Sequence, residues 1–204
     1  MGSLFTIGYS GLDMPGFVAL LRASAIDVVC DVRSTPYSTY KPDFTRGPFR
    51  GHLNAADIKY VFLGGLLGAR PKDRSCYVDG QATYERIART ADFAAGLDRV
   101  RKGVRSLNLA LVCSERDPIE CHRAVLVCHH LGDLHDRTTH VHTDGATEDH
   151  AAFEARLVAV HGLTPPPLLA APGDWEVAVT AAYERQSAAI AFREAPRPAP
   201  EDTP

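Results

Sequence analysis

Ile26-Asp-Val-Val-Cys-Asp-Val32 is the stretch that decides the fold. It is β-branched and almost continuously apolar, as a strand covered on both faces must be, and such strands belong to parallel sheets flanked by helices. Upstream, Phe5–Gly8 is a second short apolar run, ending in a Gly-Tyr-Ser-Gly turn. Between the two, Asp13–Ala23 places Phe17, Leu20 and Leu21 at helical spacing, with Asp13 and Pro15 as start signals. Downstream, residues 34–58 are rich in Pro, Gly, Ser and Thr and predict a long irregular loop, with a short helical pattern only near Leu53–Ile58. Tyr60–Leu63 reads as the next strand and runs into Gly64-Gly65.

The same alternation continues towards the C-terminus. Thr83–Lys102 predicts one helix, with Ile87, Ala91, Ala94, Leu97 and Val100 on a stripe and Gly103 past its end. Leu107–Cys113 is a strand, residues 118–131 a helix closed by Gly132, and His140–His142 a last strand. The expected fold class is therefore α/β: a single Rossmann-like domain over residues 1–162, with a mostly parallel sheet flanked by helices. Thr147–His161 reads as a further helix stopped by Gly162 and Pro165–Pro167, and an appended helix around Trp175, Val179, Ala182 and Tyr183 fills residues 163–193. Residues 194–204 hold four of the fourteen prolines and no aromatic, which predicts a disordered tail.

With 204 residues, 45% of them apolar, the chain can build one core, and no apolar run approaches the ~18 residues of a membrane span. Met1–Gly8 lacks the cationic and apolar regions of a secretory signal, and five cysteines, an odd number, argue for a reducing compartment. A cytoplasmic protein without membrane contact is expected. The net charge of −3 conceals an uneven distribution. Residues 33–105 carry fourteen Lys+Arg against seven acids, while residues 106–204 carry seven Arg against fifteen acids. A local basic field steers an anionic partner even when the total charge does not. Eighteen of the 22 cations are Arg, so genome composition is the competing explanation.

In an open parallel sheet, ligands bind beyond the carboxyl ends of the strands. Here those ends present Gly8, Tyr9 and Ser10; Asp31, Arg33 and Ser34; Gly64 and Gly65; and Cys113, Ser114 and Glu115. The candidate reacting groups are Asp31, Glu115, Cys121 and Tyr9. A structural ion pair is the alternative role for Asp31 and Arg33.

The richest segment is Cys113-Ser-Glu-Arg-Asp-Pro-Ile-Glu-Cys-His-Arg123. Asp117 before Pro118 is an N-cap with proline at the first helical position, and Glu120 suggests a capping box. Cys121, His122 and Arg123 then fall in the first two turns, where the helix dipole lowers a thiol's pKa and attracts anions. Cys121 is either a nucleophile, with His122 or Glu115 handling protons, or an inert buried thiol. The spacing is not that of a Cys-x5-Arg phosphatase loop, since Ile119 stands where Cys113 would need arginine. Cys121 and Cys128 lie about 10 Å apart on one helix, too far to share a zinc, so no metal or cofactor is expected.

Several of these motifs together resemble the uncharacterised family catalogued as domain of unknown function 488. They are Thr6-Ile-Gly-Tyr-Ser10, Asp31-Val-Arg-Ser34 with Pro36, Leu63-Gly-Gly65, Cys113-Ser-Glu115, Asp117-Pro118, Cys121-His-Arg123, His140-Val141 and Asp144-Gly145. The resemblance covers roughly residues 4–160. One departure is Leu66, where many relatives carry an arginine straight after the double glycine; Arg70, after Gly68, is the nearest substitute. The resemblance implies a globular α/β domain with a polar site built from these motifs, and it supplies no reaction.

Residues 34–52 interleave Tyr37, Tyr40, Phe44 and Phe49 with Lys41, Arg46, Arg50 and His52. Cations beside rings on which bases stack suit nucleotides or single-stranded nucleic acid, although the same rings in a long loop can simply pin it to the core. The leading expectation is an enzyme acting on a nucleotide, nucleoside or nucleic-acid component. Arg33 and Arg123 would hold an anionic group, Arg46 and Arg50 would extend the track, and Asp31 or Glu115 would act at an N-glycosidic bond. Gly8, Ser10, Ser34, Gly64, Gly65, Arg70, Cys113 and His122 complete the expected ligand-binding set. The alternatives are a noncatalytic nucleic-acid-binding module and a thiol enzyme or redox sensor using Cys113 and Cys121.

Overall fold

The computed structural model describes residues 2–165 and 171–195. Six strands form one sheet in the order β3-β2-β6-β1-β7-β8, where β1 is Leu4–Gly8, β2 Val28–Asp31, β3 Lys59–Phe62, β6 Leu109–Cys113, β7 Thr138–Val141 and β8 Thr147–Asp149. All pairings are parallel except that of β7 with β8, at the edge. A two-stranded hairpin, β4 (Tyr77–Val78) with β5 (Gln81–Ala82), stands apart from it. The mixed α/β architecture with a mostly parallel sheet matches the expectation.

Period-two alternation explains why the central strands read as continuous apolar runs. Val28, Cys30, Leu109 and Leu111 face one core, and Val29, Ala110 and Val112 face the other. The second core is closed by α1 (Met14–Ala23) and α2 (Arg46–Ala55) through Phe17, Leu21, Phe49 and Leu53. The first is closed by α3 (Gly64–Leu67), α4 (Tyr84–Ala88), α5 (Ala91–Val104), α6 (His150–Val160) and α7 (Asp174–Ile190).

Four expected elements differ. The irregular loop after β2 is shorter than its composition suggests, because α2 occupies residues 46–55. Its Pro48 lies in the first turn, where the missing N–H has no intrahelical partner to lose, and Phe49 and Leu53 bury one face. The long helix at 83–102 is two, α4 and α5, because extended Thr90 caps α5 by accepting from the Phe93 N–H at 3.2 Å. The helix expected at 147 begins at His150, since residues 147–149 pair with β7 as the edge strand.

The expected helix at 118–131 is the least regular. Residues 117–121 form tight turns, with Glu120 N–H donating to the Asp117 carbonyl and Cys121 N–H to that of Pro118, both at 3.2 Å. A π-helical segment then runs over Arg123–Cys128. Asp117 accepts from the Ile119 N–H at 2.9 Å, one residue short of a capping box, and both its oxygens bind Arg156. An α-helix dipole therefore does not act on Cys121.

α7 is integrated with the domain. Gln186 donates to the Ile119 carbonyl at 3.0 Å and accepts from His161, and Glu194 N–H bonds Gly80 O at 2.9 Å. The rest of the expected tail, residues 196–204, lies outside the described residues.

Candidate functional site

Topology creates the crevice. From β2 the chain moves outward to β3, while from β6 it moves the opposite way to β7, so the loops leaving these two adjacent strands diverge. The gap is a cleft of about 380 Å³. The loop after β2 contributes Arg33, Ser34, Thr35 and Tyr37; the end of β6 and its loop contribute Cys113, Ser114 and Glu115; His122 and Arg70 complete the polar lining. Tyr84 and Phe192 close the far wall, and Arg70 stacks on Phe192 at 4.4 Å. Ser34 Oγ accepts from the Arg70 N–H at 3.0 Å, tying the two flanks together.

Two glycines at the strand ends are required by close backbone approach. A Cβ on Gly8 would meet the Glu115 carbonyl oxygen at 1.7 Å, and one on Gly64 the Arg33 carbonyl oxygen at 1.9 Å. They allow the β1 and β3 ends to press against the loops that carry Glu115 and Arg33. Gly65 has no comparable contact.

Asp31 and Arg33 form a buried bidentate pair. Nε donates to Oδ1 at 2.8 Å and Nη2 to Oδ2 at 2.6 Å, while Tyr60 donates to Oδ2 at 2.8 Å. Arg33 also donates to the Tyr9 hydroxyl, and its guanidinium lies over the Tyr9 ring. The Tyr9 hydroxyl in turn meets Ser114 Oγ at 3.1 Å. Asp31 has no exposed surface and does not line the cleft. Arg123 is also fully buried, giving its guanidinium donors to the carbonyls of Glu115 at 2.7 Å and Arg116 at 3.1 Å. The structure therefore places Arg123 as a strut beneath the Glu115 loop, away from any exposed anion position. Ser10, Arg46 and Arg50 are exposed and outside the cleft lining, with Arg46 stacked over Phe62 at 4.3 Å.

Of the four aromatics in the basic segment, Phe44 and Phe49 are core residues, whereas Tyr37 is 65% and Tyr40 96% exposed. Tyr84, Glu120 and Phe192 line the cleft without having been singled out in the sequence. They stand far from the motifs along the chain or, for Glu120, were assigned to a cap.

The cysteine that lines the cleft is Cys113; Cys121 lies behind it, 1% exposed. Cys121 Sγ is 3.0 Å from Glu115 Oε2 and 4.0 Å from His122 Nδ1, and Cys113 Sγ is 3.7 Å from the same nitrogen. Burial opposes ionisation of Cys121, but donation from Cys113 and the Arg123 and His122 charges outweigh it and hold this thiol well below its ordinary value. Burial and the neighbouring Cys121 push Cys113 well above its own. Burial, together with the neighbouring Cys121, raises Glu115 above the ordinary carboxylate value. The ligand-type atoms of Cys113, Glu115, Cys121 and His122 all lie within 4.8 Å of one another. A second such cluster, His135, His150 and Glu154, lies away from the cleft. Tyr183 donates to Glu154 at 3.1 Å, and its hydroxyl also meets His150 at that distance, as part of a buried polar chain.

Fold and cleft together define an α/β domain with a polar site at the carboxyl edge of a mostly parallel sheet. The chain belongs to the family described as "Domain of unknown function DUF488", whose profile matches residues 13–129. No curated protein matches it significantly. A solved structure from Shewanella putrefaciens CN-32, provisionally described as a phosphatase (DUF442), shares 14% identity over 91% of this chain and 89% of that one. Its TM-score of 0.36 is too low to carry an argument. No described helix is long and apolar enough to cross a membrane.

Proposed function

We propose that this protein is a hydrolase acting on a nucleotide, nucleoside or nucleic-acid component, with Glu115 as the proton-transferring group. The observation that carries the reading is the convergence of Arg70, Ser34, Ser114 and Glu115 on one cleft at the divergent loops of β2 and β6. Arg70 offers an exposed cation, and Tyr37 an exposed ring at the rim on which a base stacks. Of the two carboxylates that line the cleft, Glu115 and Glu120, Glu115 is the one beside the β6 end, and Asp31 is consumed by Arg33 and Tyr60. The reaction is hydrolysis of an N-glycosidic bond. Glu115 takes a proton from water, the water oxygen bonds to the anomeric carbon, and the base leaves with the C–N electron pair, taking the proton back from Glu115. A thiol nucleophile is less well supported, because the thiol facing the cleft is the one that resists ionisation.

The test is a thermal-shift and turnover screen against nucleosides, nucleoside monophosphates and short oligonucleotides. Stabilisation by at least one of them is expected, with release of free base. Glu115→Gln should keep binding and lose turnover by ~100-fold or more. No stabilisation by any member of the screen would sink the reading. The exposed Tyr37 and Tyr40 beside Arg46 and Arg50 favour, as a second reading, a noncatalytic single-strand binder. That reading predicts oligonucleotide affinity that falls steeply with salt, survives Glu115→Gln and accompanies no turnover.

A further inference from the structure

Cys113 ends the central strand β6, and Cys121 and His122 return to it after a seven-residue excursion, with Glu115 between them on the cleft side. We propose that Cys113 Sγ, Cys121 Sγ and His122 Nδ1 hold a zinc ion, with a fourth position opening towards Glu115 and the cleft. The spacing fits the ion. Bonds of ~2.3 Å to sulfur and ~2.0 Å to nitrogen set the corners of a tetrahedron about 3.4–3.8 Å apart. Nδ1 of His122 lies 3.7 Å from one sulfur and 4.0 Å from the other, and all four ligand-type atoms fall within 4.8 Å of one another. Two sulfurs and an imidazole select a borderline-soft cation over magnesium or calcium.

The surroundings are those of a metal-binding histidine. His122 Nε2 lies 3.1 Å from the Val32 carbonyl, which only accepts, so Nε2 carries the hydrogen and Nδ1 presents its lone pair to the sulfurs. That backbone bond both fixes the tautomer and orients the ring. The Arg123 N–H points at Cys121 Sγ from 3.5 Å. Among the described residues no carboxylate pairs with the buried Arg123 guanidinium. Two thiolates and the Glu115 carboxylate around Zn2+ leave one net negative charge, which that guanidinium balances.

The proposal deepens the hydrolytic reading and rests on it only for the role of bound water. Water in the fourth position would lose its proton to Glu115, and its oxygen would attack the same carbon, so the three ligands and the carboxylate have separate duties. Sequence spacing compared cysteines within one helix and missed the ligand set, because Cys113 belongs to a strand.

The test is metal content of the full chain after incubation with zinc and desalting, together with its absorption when Co2+ replaces zinc. About one zinc per chain is expected, and the cobalt form should show intense thiolate-to-metal charge transfer. Cys113→Ser, Cys121→Ser and His122→Gln should each lower zinc affinity at least tenfold. Glu115→Gln should retain the metal, as should Cys128→Ser, whose thiol lies outside the cluster. Should a ligand variant fail to fold, zinc must still shield two of the wild type's five thiols from alkylation. A wild type that retains no zinc, or a cobalt spectrum without thiolate bands, overturns the proposal. So does ready coupling of Cys113 to Cys121 by mild oxidant in the presence of zinc, which would assign the pair to redox chemistry. Stoichiometric zinc without nucleotide binding leaves the metal site standing and sinks the substrate reading. Undiminished turnover by zinc-free protein overturns the role given to the bound water and leaves the hydrolytic reading standing.

Discussion

Gly8 shows how one residue sets the position of the reacting carboxylate. Its missing Cβ lets the Glu115 carbonyl lie directly against β1, so Gly8→Ala forces the Glu115 loop away from the strand end. The expected cost is about 1–3 kcal/mol, read as a lower melting temperature. Gly65→Ala, which meets only the Phe62 ring at 3.8 Å, should melt like wild type. Equal melting of the two variants would refute the close-contact explanation. Arg123 and Arg70 make a similar contrast between support and binding. Arg123→Met strands the carbonyls of Glu115 and Arg116, at about 1–3 kcal/mol for each buried group left unpaired. Arg70→Ala should leave melting unchanged within ~0.5 kcal/mol and weaken the binding of an anionic ligand. A stable Arg123→Met protein with weakened anion binding would reverse these assignments.

At the level of elements, the site depends on a loop held from several directions. Residues 114–121 are braced by Arg123 from below, by Arg156 of α6 through Asp117, and by Gln186 of α7 through the Ile119 carbonyl. Gln186→Ala should therefore lower stability by ~1–3 kcal/mol although it lies 71 positions from Glu115 in the chain. A melting curve superimposable on wild type would mean that α7 does not brace the loop. The α4–α5 break is testable in the same way. Thr90→Ala removes the side-chain acceptor for the Phe93 N–H and should cost ~1 kcal/mol in denaturant unfolding; no change would mean the cap is idle.

Across the whole molecule, buried and half-buried histidines set the response to acid. Burial, with the charges of neighbouring histidines, pushes His129 down to about 4 and places His140 and His135 below their ordinary value. His140 is enclosed by Thr6, His150 and Phe153, and His129 by His130 and Tyr183. Below the ordinary histidine pKa of ~6.5 the unfolded chain binds protons that the folded chain refuses. Stability from these groups is thus complete above pH ~6.5 and is lost as pH falls towards 4. In metal-free protein His122, where Cys121 and Glu115 outweigh its burial and raise it, contributes the opposite slope. The melting temperature should decline between pH 7 and pH 5; a flat profile would show that the fold does not hold these histidines neutral. The overall charge of −3 matters less than its placement, since the exposed arginines 46, 50 and 70 lie on the same segment as the cleft's Ser34 and Tyr37.

The chain's own pattern determined the sheet and the end of it that carries the cleft. β-branched runs and helix start signals are local, and ligands in open parallel sheets collect at the carboxyl ends whatever the loops contain. Ser34, Ser114 and Glu115 were legible for that reason, and Arg70 only through the family resemblance, as the nearest substitute for the arginine that follows the double glycine. Tertiary structure alone decided which charged groups remain available: Asp31 is neutralised by an arginine two residues away, and Arg123 is buried under a loop. It also divided the basic segment's rings into core and rim, because Phe49 falls on the buried face of a helix that two glycines and a proline disguise. Alone, too, it brought Cys113, Glu115, Cys121 and His122 within 4.8 Å. Spacing along a chain reports distance only inside a single regular element, and these four residues come from a strand end, a loop and an irregular turn.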